Sequence, residues 1–226
     1  SSAVLTGNKI QDNKAANGSG GGIYTYSESD TPVTIQMTDN TISRNYAKST
    51  GGGMAIANKN QAVTLTGGTI SENEAASYGG GIHLSSDSSL SANGTKISGN
   101  KAKLGGGIYL ASKKPLTLEN VQLVENEANS GAGIYAYNSK NALTVGTGTL
   151  ISRNKANNNG GGIFIGASST PCMAEGAVYN NHAGNAGDDL FLNKTAGISV
   201  LRAVGTDWVL DDCSHNIDGW YLDGKD

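Results

Sequence analysis

The sequence predicts an all-β fold, a right-handed parallel β-helix (a solenoid) of about seven coils with three short strands in each coil. Three observations predict this fold: an asparagine motif that occurs seven times, a glycine triplet after each copy, and alternation of apolar and polar residues between the triplets. The three features recur in step, once per repeat. This is the pattern expected when each repeat forms one coil of a solenoid.

The asparagine motif reads apolar-x-x-Asn-x-Ala, first at Ile10–Ala15 and last at Val178–Ala183. Stacked asparagine amides can bond the backbone of the coils above and below, so we interpret these residues as a structural ladder rather than a binding site. Successive asparagines lie 26 to 32 residues apart, at Asn13, Asn45, Asn73, Asn100, Asn126, Asn154 and Asn181.

A glycine triplet follows each asparagine by five to seven residues and predicts a tight corner. The triplet changes to Gly131-Ala132-Gly133 in the fifth repeat and to Gly187-Asp188-Asp189 in the seventh. We expect Asp188 and Asp189 to shape the exit from the last coil, with cation binding as the alternative. The triplets begin at Gly20, Gly51, Gly79, Gly105, Gly131, Gly160 and Gly187.

The segments between these motifs alternate with the period of a β-strand. A first strand follows each glycine triplet, as in Ile108-x-Leu110, and a third strand carries the apolar residue of the asparagine motif. Parallel crossovers are overwhelmingly right-handed, which predicts the handedness. A propeller is disfavoured because its blades need four antiparallel strands each. The second strand is expected to begin at Val33, Val63, Leu90, Leu116, Leu143 and Cys172.

The repeats divide the chain into residues 1–193, the β-helix, and residues 194–226, which break the pattern and suit a C-terminal cap. Residues 1–9 resemble the end of a coil, so we expect further coils or domains of a longer chain before them. The segment after residue 194 holds Trp208 and Trp220. A Cys172–Cys213 disulfide that ties down the cap is one expectation, and two buried thiols are the other.

Composition and charge argue against several partners and one fold class. The net charge of −3 gives no reason to expect nucleic acid. Every apolar run is shorter than the roughly 20 residues of a membrane helix, so we expect no membrane insertion of this segment. With 33 glycines but three prolines, the chain is not collagen-like.

One outer face of the predicted helix is aromatic. Seven of the eleven tyrosine and phenylalanine residues alternate with the core positions of the first strand. Such a row is typical of a sugar-stacking or protein-binding surface, and the alternative is that the rings stack on one another. His83 shares the row and is interpreted as a spacer. The predicted ligand-binding residues are Tyr24, Tyr26, Tyr109, Tyr135, Tyr137, Phe164 and Phe191.

We find no catalytic constellation in the sequence. A glycosidase needs two carboxylates about 5–9.5 Å apart in one cleft. Glu119 and Glu175 share an outward column but lie two coils apart, about 10 Å. No residues with the spacing of metal ligands occur, and we expect no metal and no cofactor.

The pairing of apolar-x-x-Asn with Gly-Gly-Gly-Ile resembles the repeats of the chlamydial polymorphic outer-membrane proteins, which pair Phe-x-x-Asn with Gly-Gly-Ala-Ile. The resemblance covers roughly residues 10 to 193. This chain differs in using Ile, Leu or Val for Phe and a third glycine for Ala. The resemblance implies bacterial surface proteins of the adhesin type with right-handed β-helices, and it carries over no catalytic residue.

These observations favour a non-enzymatic module for adhesion or glycan recognition, extracellular or on the cell surface. The expected partner is a host or environmental glycan or glycoprotein. The alternatives are a carbohydrate-active enzyme of the polysaccharide lyase or glycosidase kind, and a passive structural stalk.

Overall fold

The computed structural model describes residues 2–28, 31–137, 143–167 and 176–193, and the backbone of Cys172–Met173, Ser199–Val200, Val209–Leu210 and His215–Asn216. All regular elements in these ranges are β-strands. Strands of successive coils pair in parallel, so the chain winds as a parallel β-helix. The seven asparagines delimit six complete turns, close to the predicted number of about seven coils.

Three parallel sheets run the length of the helix. The first sheet contains the strands that follow the glycine triplets: Ile23–Ser27, Met54–Asn58, Ile82–Ser86, Ile108–Ser112, Ile134–Ala136, Ile163–Ile165 and Leu190–Leu192. The second contains Ser2–Thr6, Val33–Thr38, Gln61–Thr66, Ser89–Asn93, Leu116–Glu119, Leu143–Val145, Cys172–Met173 and Ser199–Val200. The third contains Lys9–Gln11, Thr41–Ser43, Thr69–Ser71, Lys96–Ser98, Gln122–Val124, Leu150–Ser152 and Ala177–Tyr179.

A short fourth segment, absent from the sequence-based prediction, follows the asparagine in most coils. Its strands have two residues each, too few to give a recognisable alternation. They are Lys14–Ala15, Tyr46–Ala47, Glu74–Ala75, Glu127–Ala128, Lys155–Ala156 and His182–Ala183. Outside the helix, Val209–Leu210 pairs with His215–Asn216 in antiparallel orientation.

The core is a column of aliphatic side chains inside the three sheets. Each coil contributes alternating residues from each strand, and the central ones are fully buried: Ile82, Leu84, Leu90, Ile97, Ile108, Leu110, Leu116, Leu118 and Leu123. A second, smaller cluster of Ala128, Ala132, Ala156 and Ala183 packs beside the asparagine corner. This cluster explains the alanine of the motif, because a larger side chain would have no room in such close packing.

The register of the second sheet corrects the sequence-based alignment at both ends. Ile35, not Val33, lies beside Val63, because the first repeat is the longest and its extra residues shift the strand by two. Cys172 pairs with Thr144, not with Leu143, a shift of one residue. Cys172 therefore occupies the register position of the outward Thr117–Thr144 column.

The residue before each motif asparagine has left-handed backbone geometry, another feature that was not predicted. Its φ lies between 53° and 64° in all seven coils. The bend turns the chain out of the third sheet and brings the asparagine inward. Only one repeat has glycine there, and the full set is Asp12, Arg44, Glu72, Gly99, Glu125, Arg153 and Asn180.

Candidate binding face

The outer face of the first sheet is the candidate functional site. Side chains alternate across a strand, so the residue after each buried core position points outward. Strand pairing aligns one such residue from each coil in a column, which we call the outer column: Tyr24, Ala55, His83, Tyr109, Tyr135, Phe164 and Phe191. Tyr26 and Tyr137 lie two residues further along their chains, in a second column.

The rings from Tyr109 to Phe191 form one continuous stack, and His83 lies tilted against the Tyr109 end of it. Ring centroids are 5.4 Å apart between His83 and Tyr109 and 5.4 Å apart between Tyr109 and Tyr135. The next two distances are 4.4 Å to Phe164 and 4.8 Å from there to Phe191. The stacking follows the coil spacing of about 4.8 Å. Because the ring faces contact each other, a sugar cannot stack on them without displacing a neighbouring ring.

Burial of the middle rings raises the pKa of their phenol groups. Tyr109 and Phe164 are each 7% exposed, and Tyr109 also stacks on Tyr78 at 4.8 Å. Burial raises the pKa of Tyr109 and, with the neighbouring Tyr137, that of Tyr135. Both phenols are therefore neutral near neutral pH, and the middle of the stack acts as a rigid support.

His83 lies at the end of the continuous stack on the side of the first coils. Burial lowers the pKa of His83 to about 4, so its imidazole is neutral at pH 7. No carboxylate pairs with His83 among the described residues. This geometry gives the imidazole no partner that would orient it as a general base.

The tyrosines at the edges of the stack remain accessible. The exposed fractions are 51% for Tyr24, 55% for Tyr26, 39% for Tyr78 and 55% for Tyr137. Tyr24 and Tyr26 stack at 6.2 Å, and the Tyr26 hydroxyl donates to Glu28 Oε1. The hydrogen bond to Glu28 raises the pKa of Tyr26. These four side chains present apolar ring surface and a hydroxyl group to solvent.

A row of small side chains separates the exposed tyrosines at Tyr26 and Tyr137, and we call this row the trough. In the second column, three small residues, Ala57, Ser85 and Ala111, lie between Tyr26 and Tyr137. Four coil steps of about 4.8 Å place these two tyrosines about 19 Å apart. The trough therefore runs along the helix axis, with small residues between and a tyrosine at each end.

The glycine triplets make room for the outer column. A Cβ built on Gly131 would lie 2.8 Å from Tyr135 Cβ, and one on Gly187 would lie 2.7 Å from Phe191 Cβ. Both glycines also have positive φ, 60° and 72°. The corner can thus fold against the aromatic residues only where no side chain is present.

The asparagine ladder is continuous through all seven coils. Each of the first six asparagines donates its backbone N–H and its side-chain amide to Oδ1 of the next one, at 2.8–3.0 Å. From the second coil onward, the amide also donates to the preceding coil, as Asn126 does to the Ile97 carbonyl at 3.1 Å. The buried corner amides are thereby satisfied, as expected for a structural role.

Asp189 ends this ladder. Asn181 donates its backbone N–H and its Nδ2 to Asp189 Oδ1 at 3.0 and 2.9 Å. Asp188 accepts from the Ala183 backbone N–H and lies 3.5 Å from His182 Nδ1. The two aspartates of the altered triplet therefore bond the corner itself, and Asp189 substitutes for the asparagine of an eighth coil.

The third glycine of five triplets faces the ladder: Gly22, Gly53, Gly81, Gly107 and Gly162. A Cβ on Gly107 would lie 2.7 Å from the Gly133 carbonyl oxygen and 3.2 Å from Asn126 Nδ2. This proximity links the two repeated motifs: glycine is needed because the asparagine side chain of the next coil fills the adjacent space.

Of the two carboxylates considered for catalysis, only Glu119 lies among the described residues. The Glu119 side chain lies directly over Gly146, where an added Cβ would clash with Glu119 Oε1. Glu175 lies outside the described residues. Within the described ranges no group of three or more His, Cys, Asp or Glu side chains could hold a metal ion, and no helix could span a membrane.

The predicted disulfide and cap fall largely outside the described residues. Cys213, Trp208 and Trp220 are not among them, and only the backbone of Cys172 is described. The Cys172–Cys213 pairing and the cap over residues 194–226 therefore remain predictions.

Comparison with known proteins supports the fold independently. The model of the family described as "right handed beta helix region" matches residues 1–95 and 56–205, which together span most of the chain. No curated protein and no solved structure matched the chain. The family match agrees with the parallel coils, and the chain belongs to the right-handed β-helix family.

Proposed function

We propose that this protein is a non-enzymatic recognition module that binds an extended glycan, free or on a glycoprotein, along the outer face of the first sheet. The observation that carries the proposal is the pair of exposed tyrosine groups at the two ends of the trough. Exposed tyrosines supply apolar contact area at low entropic cost, and their hydroxyls supply polar contacts.

The stacked rings have a different role from the sugar-stacking one that the sequence suggests. Tyr109, Tyr135 and Phe164 are stacked face to face, so they hold the sheet rigid and are not available for stacking on sugars. The ligand contacts fall to Tyr24, Tyr26, Tyr78 and Tyr137. A rigid scaffold that orders these side chains in advance lowers the entropic cost of binding.

An extracellular or cell-surface location accompanies this function. The resemblance of the repeats to polymorphic outer-membrane protein repeats supports that location and a bacterial adhesin type. A carbohydrate-active enzyme is disfavoured, since the sequence places Glu119 and Glu175 two coils apart, about 10 Å.

The test is binding of the purified protein to a broad panel of immobilised glycans and glycoproteins. We expect a selective, saturable signal that falls at least tenfold in affinity in a Tyr26→Ala/Tyr137→Ala variant, because each lost aromatic contact is worth about 1 kcal/mol. Tyr46→Ala is the matched control, since Tyr46 lies at the asparagine corner beside Lys14. Equal binding by both variants would refute the proposed face.

A passive stalk is the second candidate, and one observation favours it. The continuous aromatic stack and the asparagine ladder both stiffen the solenoid along its axis. A stalk would show no saturable binding to any member of the panel.

A further inference from the structure

We infer that Asn17 is a site of spontaneous deamidation, selected by the local structure from three chemically equivalent Asn-Gly pairs. The pairs are Asn17-Gly18, Asn93-Gly94 and Asn159-Gly160. Asn-Gly is the sequence most open to this reaction, because glycine has no side chain to hinder attack by its own backbone nitrogen. The three pairs differ in their hydrogen bonding and exposure in the folded protein.

Two of the pairs are held in the parallel ladders. Gly94 N donates to the Glu119 carbonyl at 3.1 Å, and the Asn93 carbonyl accepts from Gly67 N at 2.8 Å. The Asn93 side chain also accepts from Asn120 Nδ2 at 3.2 Å. The attacking nitrogen of this pair cannot approach the asparagine side chain without breaking the ladder.

The Asn159-Gly160 pair is held in the same way at the glycine corner. Gly160 N donates to the Ala186 carbonyl at 3.0 Å, and the Asn159 carbonyl accepts from Gly131 N at 3.0 Å. Gly160 is buried and has a φ of 68°. Local opening of the corner would have to precede reaction there.

Asn17-Gly18 lies in an exposed turn of the first coil. Asn17 is exposed. The Gly18 carbonyl accepts from Ser49 N at 3.0 Å, whereas the Gly18 nitrogen donates no backbone hydrogen bond within the described part of the chain. Nothing approaches within 4 Å of a Cβ built on Gly18, so the space beside the turn is open. The nitrogen of Gly18 can therefore reach the side chain of Asn17 without the loss of a ladder bond.

The reaction balances without an oxidant or a cofactor. Solvent base takes the Gly18 amide proton, the nitrogen bonds to Asn17 Cγ, and the Cγ–Nδ2 bond breaks to release ammonia and leave a succinimide. Water then opens the succinimide at either carbonyl, which gives aspartate or isoaspartate. The product adds a negative charge, and isoaspartate also lengthens the backbone just before the Gly20–Gly22 corner.

The test is to incubate the folded protein at mildly alkaline pH and follow the three peptides by mass spectrometry, with enzymatic methylation to detect isoaspartate. We expect Asn17 to convert roughly tenfold or more faster than Asn93 and Asn159, since the other two must first open locally. In denaturant, all three should convert at similar rates. Gly18→Ala should slow conversion at Asn17 in the folded protein. Equal rates at the three sites in the folded protein, or no conversion at Asn17 while the unfolded chain reacts, would overturn the inference.

Discussion

Asn181 bonds Asp189 in the same way that Asn154 bonds Asn181: a backbone N–H and a side-chain amide converge on one Oδ1. Asp189 lies eight residues after Asn181, in the same coil, whereas the earlier partners lie one coil apart. An aspartate in the glycine triplet thus occupies the place of the next asparagine and satisfies the last buried donors of the ladder.

Removal of this terminal acceptor should loosen the last coil. We expect Asp189→Ala to lower the free energy of unfolding by about 1–3 kcal/mol, because the buried Asn181 N–H loses its acceptor. Asp189→Asn retains Oδ1 and should cost much less. Urea denaturation of the two variants provides the comparison, and equal losses of stability would show that the hydrogen bond to Oδ1 is unimportant.

The third glycine of a triplet should not tolerate a methyl group. Gly107→Ala would place a Cβ against the Gly133 carbonyl and Asn126 Nδ2, at a cost of about 1–3 kcal/mol or more. Gly18→Ala is the matched control, since open space surrounds that position, and we expect a change within about 0.5 kcal/mol. Thermal unfolding of both variants tests this difference. A Gly107→Ala protein as stable as Gly18→Ala would contradict the packing that we describe.

Replacement by alanine should destabilise the protein more at a stacked tyrosine than at an exposed tyrosine of the candidate face. Tyr135 lies between two rings at 5.4 and 4.4 Å, so Tyr135→Ala should cost about 2–4 kcal/mol. Tyr137 is 55% exposed, and Tyr137→Ala should cost less than about 1 kcal/mol. Denaturant midpoints measure both values. If Tyr135→Ala proved as mild as Tyr137→Ala, the stack would not support the sheet.

His83 should make the fold sensitive to acid. Its pKa falls from 6.5 to about 4 on folding because of burial. Between pH 6.5 and pH 4 the imidazole is therefore protonated in the unfolded chain but neutral in the folded chain. The free energy of unfolding is therefore unaffected by His83 above pH 6.5. It decreases as the pH falls toward 4, by about 3 kcal/mol in total.

The measurement is the free energy of unfolding between pH 7 and pH 4 for the native protein and for His83→Phe. The variant keeps an aromatic ring beside Tyr109 and removes the titrating group, so the difference between the two curves isolates His83. Parallel curves across this range would show that His83 titrates alike in the folded and unfolded states.

Much of the fold was predictable because the repeats encode it. The asparagines recur at one corner of every coil, and their spacing alone predicted the ladder that extends from Asn13 to Asn181. The left-handed residue before each asparagine was missed, since Asp12, Glu72 and Arg153 share no side-chain property that signals positive φ. The register at Val33 was wrong because repeat length varies there, and only burial of Ile35 and Met37 fixes the alignment.

The sequence was sufficient to predict which residues line the candidate face, but not which of their rings are exposed to solvent. Alternation identified which rings share the outer face, yet it does not reveal how neighbouring rings orient. Coils about 4.8 Å apart bring the rings of adjacent coils within stacking distance, so Tyr109, Tyr135 and Phe164 stack and cover each other's faces. The exposed Tyr78 was missed because it precedes a glycine triplet and belongs to no strand.

The most direct test of the proposed function is titration of the strongest glycan from the binding panel into the native protein and into Tyr26→Ala/Tyr137→Ala. The account predicts saturable binding by the native protein and at least a tenfold weaker affinity in the variant, with both proteins folded and Tyr46→Ala unchanged. Unchanged affinity in the Tyr26→Ala/Tyr137→Ala variant would contradict the tyrosine trough as the binding site, and a panel without any saturable ligand would favour the stalk.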